Sequence, residues 1–115
     1  MVPETSGPFD FNDFTIDTTV KLKSPGVYLL GYSMNNTFFV ERVGRSDTNL
    51  NARLKSAEYR GNFRQFKARY CPSAEQAFHE ECALWHAYGT GKGNPYHPAR
   101  PAGINIRCKH CTIFN

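Results

Sequence analysis

The stretch that decides the fold is residues 26–46, which read GVYLLGYSMNNTFFVERVGRS. Two runs rich in β-branched and aromatic residues flank the polar pair Asn35-Asn36, which tolerates left-handed backbone. The pattern predicts a β-hairpin with strands over residues 27–32 and 37–43. Gly44 is expected to end the second strand, because glycine frees the backbone to turn into the next element.

A helix is predicted after the hairpin, from a cap at Asp47 or Thr48 to about residue 58. Leu50 and Leu54 lie four residues apart, which indicates a buried stripe. Arg53 borders that stripe, about 60° from Leu50 on a helical wheel. Its aliphatic stem can therefore pack while its guanidinium reaches a pocket.

A third strand and a longer helix are predicted in the next part of the chain. Residues 63–71 alternate, with Phe66 and Ala68 on one side and the basic Lys67 and Arg69 on an exposed side. Residues 73–76 read SAEQ, a capping box that starts a helix reaching about residue 88. These elements predict a small domain that combines three β-strands with helices.

The length of 115 residues suits one domain with a modest core. We expect residues 1–23 to form an N-terminal arm, residues 24–101 the domain, and residues 102–115 a C-terminal tail. Within this arm, Phe9 and Phe11, and later Val20 and Leu22, alternate with polar residues. This alternation predicts short extended pieces laid on the domain.

Composition and charge narrow the function class. No apolar run reaches the roughly 18 residues of a membrane span, and no secretory signal is visible, so a cytoplasmic protein without membrane contact is expected. Residues 1–41 carry two basic and five acidic side chains, whereas residues 42–115 carry twelve and five. The basic part favours a polyanionic partner; ordinary surface charge on a small basic protein is the alternative.

Glu81 has the most informative position in the sequence. It falls in the centre of the apolar stripe that holds Phe78 and Trp85, whereas Glu80 falls off that stripe. A carboxylate that faces inward is costly unless it is paired, hydrogen-bonded or metal-bound. Glu81 is therefore a candidate metal ligand, and an ion pair with Arg53 or a neutral buried acid are the alternatives.

Gly26-Val27-Tyr28 and Arg42-Val43-Gly44, with Arg53 in the following helix, resemble the motifs of the GIY-YIG nuclease family. The helix that carries Glu81 resembles the family's metal-binding helix. Asn94 follows it near the spacing of an asparagine that helps hold the family's active site together. The resemblance covers about residues 24–101. It implies a small α/β (α+β) fold, with a three-stranded antiparallel sheet flanked by helices, and cleavage of DNA phosphodiesters with Mg²⁺ or Mn²⁺.

The resemblance also implies residue roles. Glu81 would hold Mg²⁺, an ion that keeps several waters and takes phosphate oxygens. Arg53 would grip the phosphate, Tyr28 would position water, and Asn94 would support the site. Structural roles remain the alternatives: a strand aromatic, a solvated arginine and a turn residue. The side chains expected to contact DNA are Arg42, Arg45, Arg64, Lys67, Arg69 and His97.

Arg42 departs from the family pattern, because a tyrosine at this position is the favoured general base. Arginine cannot be deprotonated in that role. Some members carry a histidine or tyrosine where this chain has Ala57, and Tyr59 is two residues out of register. Tyr28, Tyr59 or a metal-bound hydroxide would then act as the base. A catalytically inactive nucleic-acid-binding module of the same fold is the first alternative function.

The four cysteines suggest a further alternative. In a cytoplasmic protein they are expected to be thiols or metal ligands rather than disulfides. Cys108-x-x-Cys111 is half of a zinc site, which His110, Cys71, Cys82 or a second chain would complete. Cys82 alone is more simply a packed apolar residue. A zinc or thiol protein is thus the second alternative function.

Overall fold

The computed structural model describes residues 4–59, 61–88 and 97–109. Their elements follow the order β1 (Ser6–Asp10), α1 (Asp13–Thr19), β2 (Gly26–Met34), β3 (Thr37–Ser46), α2 (Leu50–Leu54), a 3-10 turn (Ala57–Tyr59), β4 (Gln65–Tyr70) and α3 (Ala74–Tyr88). The α+β class is confirmed, and so are the hairpin, the strand after it and the long helix.

Within the described residues the sheet has four strands rather than the predicted three, in the order β1-β4-β2-β3, all antiparallel. The additional strand comes from the N-terminal arm and pairs with β4. Phe9 and Phe11 hold it there, since their rings lie 5.5 and 5.8 Å from the ring of Phe66 in the core. The strand count was wrong because this docking depends on an aromatic residue almost 60 positions away, which no local pattern reveals.

Residues 13–19 form a helix that the sequence analysis did not predict. Asn12 caps it by accepting the backbone N–H of Thr15 through Oδ1 at 2.8 Å. Ile16 and Val20 are buried four residues apart, whereas Leu22 is 59% exposed. The predicted alternation of Val20 and Leu22 was therefore wrong, because the helical pair determines the structure of this segment.

The hairpin turns at Asn35-Asn36, as predicted. Both residues have positive φ angles, 53° and 63°. Consecutive positive φ angles are the geometry of a type I′ turn, whose twist matches that of the flanking strands. The short side-chain amides tolerate this backbone without glycine.

A β-bulge in β3 decides which face of the sheet carries the side chain of Arg42. The register shifts between Leu30 and Gly31 of β2, and Glu41 is the extra residue of β3. One extra residue inverts the alternation of side chains along a strand. Arg42 consequently lies on the same face as Tyr28, whereas an unbulged strand would place it on the opposite face.

Gly44 lies inside β3, which continues to Ser46, so the prediction that it ends the strand was wrong. It pairs with Tyr28 across the hairpin. A Cβ atom at position 44 would stand 2.3 Å from the ring and hydroxyl of Tyr28. Glycine is required here because the tyrosine ring fills the space of a side chain.

Helix α2 is shorter than predicted and has a different cap. Asn49 accepts a backbone N–H three residues on at 3.1 Å, so neither Asp47 nor Thr48 is the cap. The Ser46 hydroxyl holds the backbone N–H groups of residues 48 and 49 in a turn before the helix. The helix ends at residue 54, and the 3-10 turn over Ala57–Tyr59 then changes the phase of the chain.

Both faces of the sheet are covered. Helices α1 and α2 lie on the face of Tyr28, where Leu50 and Leu54 pack against Phe66 and its neighbours. Helix α3 covers the opposite face through Ala77 and Leu84, among others. It begins after Ser73, whose hydroxyl accepts the backbone N–H three residues on at 3.1 Å, as predicted. Strand β3 stays at one edge of the sheet, between the two layers of helices.

Candidate functional site

An open pocket of about 230 Å³ lies at the edge formed by β3. Because β3 is an edge strand, residues of both sheet faces contribute to it. Arg42 comes from the face of Tyr28, and Arg45 from the face covered by α3. The side chains of interest that line the pocket are Tyr28, Arg42, Arg45, Arg53, Tyr59 and Glu81.

Tyr28 is buried, and its hydroxyl is held by two partners. It is in short hydrogen-bond contact with the Tyr59 hydroxyl, and it accepts the Nε–H of Arg53 at 3.3 Å. Burial raises the pKa of Tyr28 well above its usual value, Tyr59 adds to the rise, and Arg53 opposes it. The hydroxyl therefore stays protonated at neutral pH.

Arg42 and Arg53 flank the ring of Tyr59. Their guanidinium carbons lie 5.1 and 5.4 Å from the ring centroid, within cation–π range. Both also approach the Glu58 carboxylate, at 3.2 Å for Arg42 and 3.9 Å for Arg53. Because Glu58 is 49% exposed, these ion pairs are weak and an anion in the pocket can replace them.

Arg45 is held between two carboxylates. It donates to Glu81 at 2.7 Å and to Asp47 at 2.6 Å. Burial raises the pKa of the Glu81 carboxyl, Arg45 opposes that rise, and the neighbouring Asp47 adds to it. The ion-pair partner of Glu81 is thus Arg45 rather than Arg53, because Arg45 lies on the face of the sheet that α3 covers.

Glu80 is buried as well, which the helical wheel did not predict. Only 6% of the residue is exposed, and its carboxylate meets Arg69 of β4 at 3.0 Å. The side-chain amide of Gln76 donates to it at 2.9 Å. The buried arc of α3 is wider than the predicted stripe because α3 lies over the sheet, and one side of that arc faces β4.

The basic residues of β4 and its approach lie outside the pocket. Lys67 sits over the ring of Phe38 at 5.3 Å, and Arg69 pairs with Glu80. The predicted exposed face of this strand is therefore partly occupied by neighbouring groups. Arg64 is exposed and lines a separate groove beside the hairpin. Of the six side chains expected to contact DNA, Arg42 and Arg45 line the pocket.

A second group of polar side chains lies where α3 meets the C-terminal segment. The ligand atoms of Cys82, His97 and Cys108 lie within 4.8 Å of one another, close enough to hold a metal ion. Both cysteines are buried and pack with Phe78. Burial, together with the Cys108 thiol, raises the pKa of Cys82. His97, expected to contact DNA, belongs to this group.

Three candidate site residues lie outside the described part of the chain. They are Asn94, expected to support the active site, Cys111, expected to bind zinc with Cys108, and His110, one of the candidates to complete that zinc site. Their roles stay predictions.

Sequence reasoning undervalued Tyr59 and missed Asp47. Tyr59 was two residues out of the family's register, but the 3-10 turn moves it beside Tyr28. Asp47 was considered only as a helix cap. The signal available in the sequence was its spacing of two from Arg45, since residues i and i+2 share one side of extended backbone.

Comparison with protein-family models, with curated protein sequences and with solved structures gave no match to this chain. Within residues 4–59, 61–88 and 97–109, every helix is too short or too polar to span a bilayer.

Proposed function

We propose that the pocket at the edge of β3 binds a phosphodiester of DNA, and that the chain is a slow, Mg²⁺-dependent endonuclease of the GIY-YIG type. The observation that carries the proposal is that Arg42, Arg53 and Glu81 line one pocket. The hydrogen-bonded pair Tyr28 and Tyr59 lines the same pocket. The pocket is lined by three guanidiniums and by the carboxylates of Asp47 and Glu81. Its lining therefore has a net positive charge, which favours binding of an anion.

Arg42 and Arg53 are the residues suited to grip the phosphate. Their side chains are 32% and 40% exposed, so both guanidiniums reach solvent at the pocket. A phosphate oxygen would replace the exposed Glu58 carboxylate as their acceptor. Charge-assisted hydrogen bonds to phosphate are stronger than neutral ones, and the planar guanidinium can make two at once.

The donors present fit Mg²⁺ by their chemistry. Glu81 and Asp47 offer carboxylate oxygens, the ligands this ion prefers. Both now accept hydrogen bonds from Arg45, so the ion would compete with this guanidinium. When bound, Mg²⁺ supplies charge that stabilises a phosphoryl oxygen and the leaving oxygen.

Proton transfer is the weak step of the proposed reaction. Arg42 cannot accept a proton, and the raised pKa of Tyr28 keeps its hydroxyl protonated. The hydroxyls of Tyr28 and Tyr59 are buried against each other and against Arg53, so neither supplies a ready base. General base catalysis contributes roughly 10²–10⁴ in rate, so cleavage should be slow.

The arginine at position 42 and the protonated Tyr28 also favour a second candidate function, a DNA-binding module without turnover. Such a module needs the arginines to bind phosphate and needs no general base. Binding and cleavage must therefore be measured separately, and the two glutamates of α3 provide a matched pair of variants.

Plasmid nicking tests the catalytic proposal. The natural chain should nick supercoiled DNA slowly in Mg²⁺, and Glu81→Gln should not. Glu80→Gln should keep the activity, since its carboxylate meets Arg69 outside the pocket. Arg42→Tyr should accelerate nicking by at least about 10²-fold if the missing base limits the rate. Equal nicking by the natural chain and by Glu81→Gln would contradict the catalytic role of Glu81.

Binding of duplex DNA as a function of salt tests the phosphate site. Each phosphate contact contributes about 0.9 to the slope of log affinity against log salt. Arg53→Ala should lower that slope by one such contact, whereas Arg100→Ala, whose guanidinium bonds Asn105 away from the pocket, should leave it unchanged. Salt-dependent binding without any nicking would favour the binding module. The absence of binding at low salt would overturn both candidates.

A further inference from the structure

The cysteine and histidine group at the end of α3 contains a fourth side chain that can bind a metal ion. His86 lies four residues after Cys82, so both project from the same side of the helix. The Nε2 atom of His86 is 3.5 Å from the Sγ atom of Cys108. Its ring centroid is 5.3 Å from that of His97. His86 therefore borders the three residues whose ligand atoms already lie within 4.8 Å of one another.

The hydrogen bond of His97 prepares its other ring nitrogen as a ligand. Its Nδ1 lies 2.9 Å from the carbonyl oxygen of Pro98. A carbonyl only accepts, so Nδ1 carries the proton and the Nε2 atom of the neutral ring keeps its lone pair. Histidines that bind metals almost always donate their second N–H to a carbonyl, carboxylate or water in this way.

We propose that Cys82, His86, His97 and Cys108 bind a zinc ion. Two thiolates and two imidazoles are a ligand set typical of structural zinc. Zinc–sulfur and zinc–nitrogen bonds of about 2.3 and 2.1 Å in a tetrahedron separate neighbouring ligand atoms by roughly 3.6 Å. The contact between His86 and Cys108 has this length. The ligand atoms of Cys82, His97 and Cys108 need small movements from 4.8 Å or less, and a rotation of the exposed His86 side chain brings its nitrogen to the same ion.

Burial and the number of ligands favour a closed structural site. Cys82 is fully buried and Cys108 is 3% exposed, and Phe78 and Ile106 pack around them. His86 is exposed and forms the outer side of the site. Four protein ligands leave no open position for substrate, so the ion has a structural role.

The site would fasten the C-terminal segment to α3. Cys82 and His86 belong to the helix, whereas His97 and Cys108 belong to the C-terminal segment. This connection lies next to the arginine-lined pocket: Glu81 precedes Cys82, and Ala99, two residues after His97, lines the pocket. The zinc proposal is independent of catalysis and of DNA binding.

Metal analysis of the full chain, purified without added metal, tests the proposal. The natural chain should contain a single zinc ion, and removal of zinc by a chelator should lower its melting temperature until zinc is restored. Replacement by Co²⁺ should give the visible absorption of a tetrahedral site and a charge-transfer band from two thiolates. A metal-free chain whose melting temperature does not respond to zinc would overturn the proposal.

Single variants identify the ligands. His86→Asn and His97→Asn should each weaken zinc binding by more than about 10²-fold, since changes to outer-shell partners alone cost 10–100-fold. His86 is exposed, so its variant should fold even if Cys82→Ser does not.

Two controls share the chemistry of the ligands but lie elsewhere. Cys71→Ser removes a buried free thiol that packs with Val27 and Leu29. His79→Asn removes a histidine of the same helix, paired with Glu75. Both should retain zinc. If His86→Asn retained zinc and Cys111→Ser lost it, the ion would belong to the Cys108–Cys111 pair instead, and the four-residue site would be wrong.

Discussion

Two consecutive glutamates of α3 have different surroundings. Glu80 meets Arg69 over the middle of the sheet, where β4 is flanked by strands on both sides, and the Gln76 side chain is a second donor to it. Glu81 meets Arg45 at the edge strand β3, where the pair opens into the pocket. Both carboxylates are largely buried, and both are paired with arginine.

The comparison teaches that burial of a carboxylate does not by itself mark a functional site. Glu80 satisfies the same criterion of an inward-facing acid and has a purely structural environment among the described residues. What distinguishes Glu81 is its position at the edge of the sheet, where a ligand can reach the ion pair. Experiments that treat the two pairs identically will therefore separate structure from function.

Removal of the arginine partner should have the largest effect. Arg45→Met leaves Glu81 unpaired, and both side chains are only 11–12% exposed, so the free energy of unfolding should fall by about 3–5 kcal/mol. Arg69→Met should lower it by about 1–2 kcal/mol, because Glu80 keeps the hydrogen bond from Gln76. Thermal or urea unfolding measures both.

Added Mg²⁺ sharpens this first comparison. It should raise the melting temperature of Arg45→Met, where a cation can replace the guanidinium, and leave that of Arg69→Met unchanged. An equal response of the two variants would show that Glu81 has no special capacity to hold a cation.

Gly44→Ala should disturb the pocket and spare the Glu80 pair. The added Cβ would meet the ring of Tyr28 at 2.3 Å, and overpacking of this kind typically lowers stability by about 1–3 kcal/mol. If the clash is the cause, combining Gly44→Ala with Tyr28→Leu should destabilise the chain by less than the sum of the single changes. Additive effects would point to the backbone instead. Chemical denaturation of the four proteins completes this cycle.

The pH dependence of stability should report the buried hydroxyl of Tyr28. Its pKa in the folded chain lies well above the ordinary value of 10.0, so the unfolded chain releases this proton first. The stabilisation is complete below that value and declines as pH rises beyond it, by about 1.4 kcal/mol for each pH unit. The stability difference between the natural chain and Tyr28→Phe should stay constant up to about pH 9 and shrink above pH 10. A difference that stays flat through pH 11 would contradict the raised pKa.

Glu58→Gln should have the smallest effect on stability. Its ion pairs with Arg42 and Arg53 are exposed, and such pairs contribute about 0–1 kcal/mol. DNA binding should become tighter, because both guanidiniums lose a competing acceptor. Glu75→Gln, which removes an exposed acid of α3 near His79, is the matched control and should leave affinity unchanged. Fluorescence anisotropy with labelled duplex DNA distinguishes the two.

Local signals predicted the hairpin and α3, because each depends on residues near in sequence. The Asn35-Asn36 pair determines the turn, and Ser73 caps the helix. Helix α1 was missed although its signals are also local, namely the Asn12 cap and the buried pair Ile16 and Val20. The fourth strand was missed for the opposite reason. The docking of Phe9 on Phe66 joins distant parts of the chain, and only the folded sheet creates the surface that receives it.

The pocket was predicted in part. The helical wheel of α3 and the family resemblance predicted that Glu81 shares a pocket with Arg53 and Tyr28. In the structure all three line the pocket at the edge of β3. The partner of Glu81 and the importance of Tyr59 were not predictable, because each depends on a backbone detail. The bulge and the edge position of β3 set which arginine meets α3, and the 3-10 turn changes the phase of the chain after α2.

The bulge at Glu41 also bears on how other sequences should be aligned with this one. In a hairpin with the same turn and no bulge, the residue that pairs with Leu30 would be one position closer to the turn than Arg42 is. A sequence that lacks both the bulge and one residue between the turn and Arg42 would therefore keep the same pairing with β2. Residues of such sequences should consequently be matched by their pairing partners on β2 and not by their distance from Asn36 along the chain.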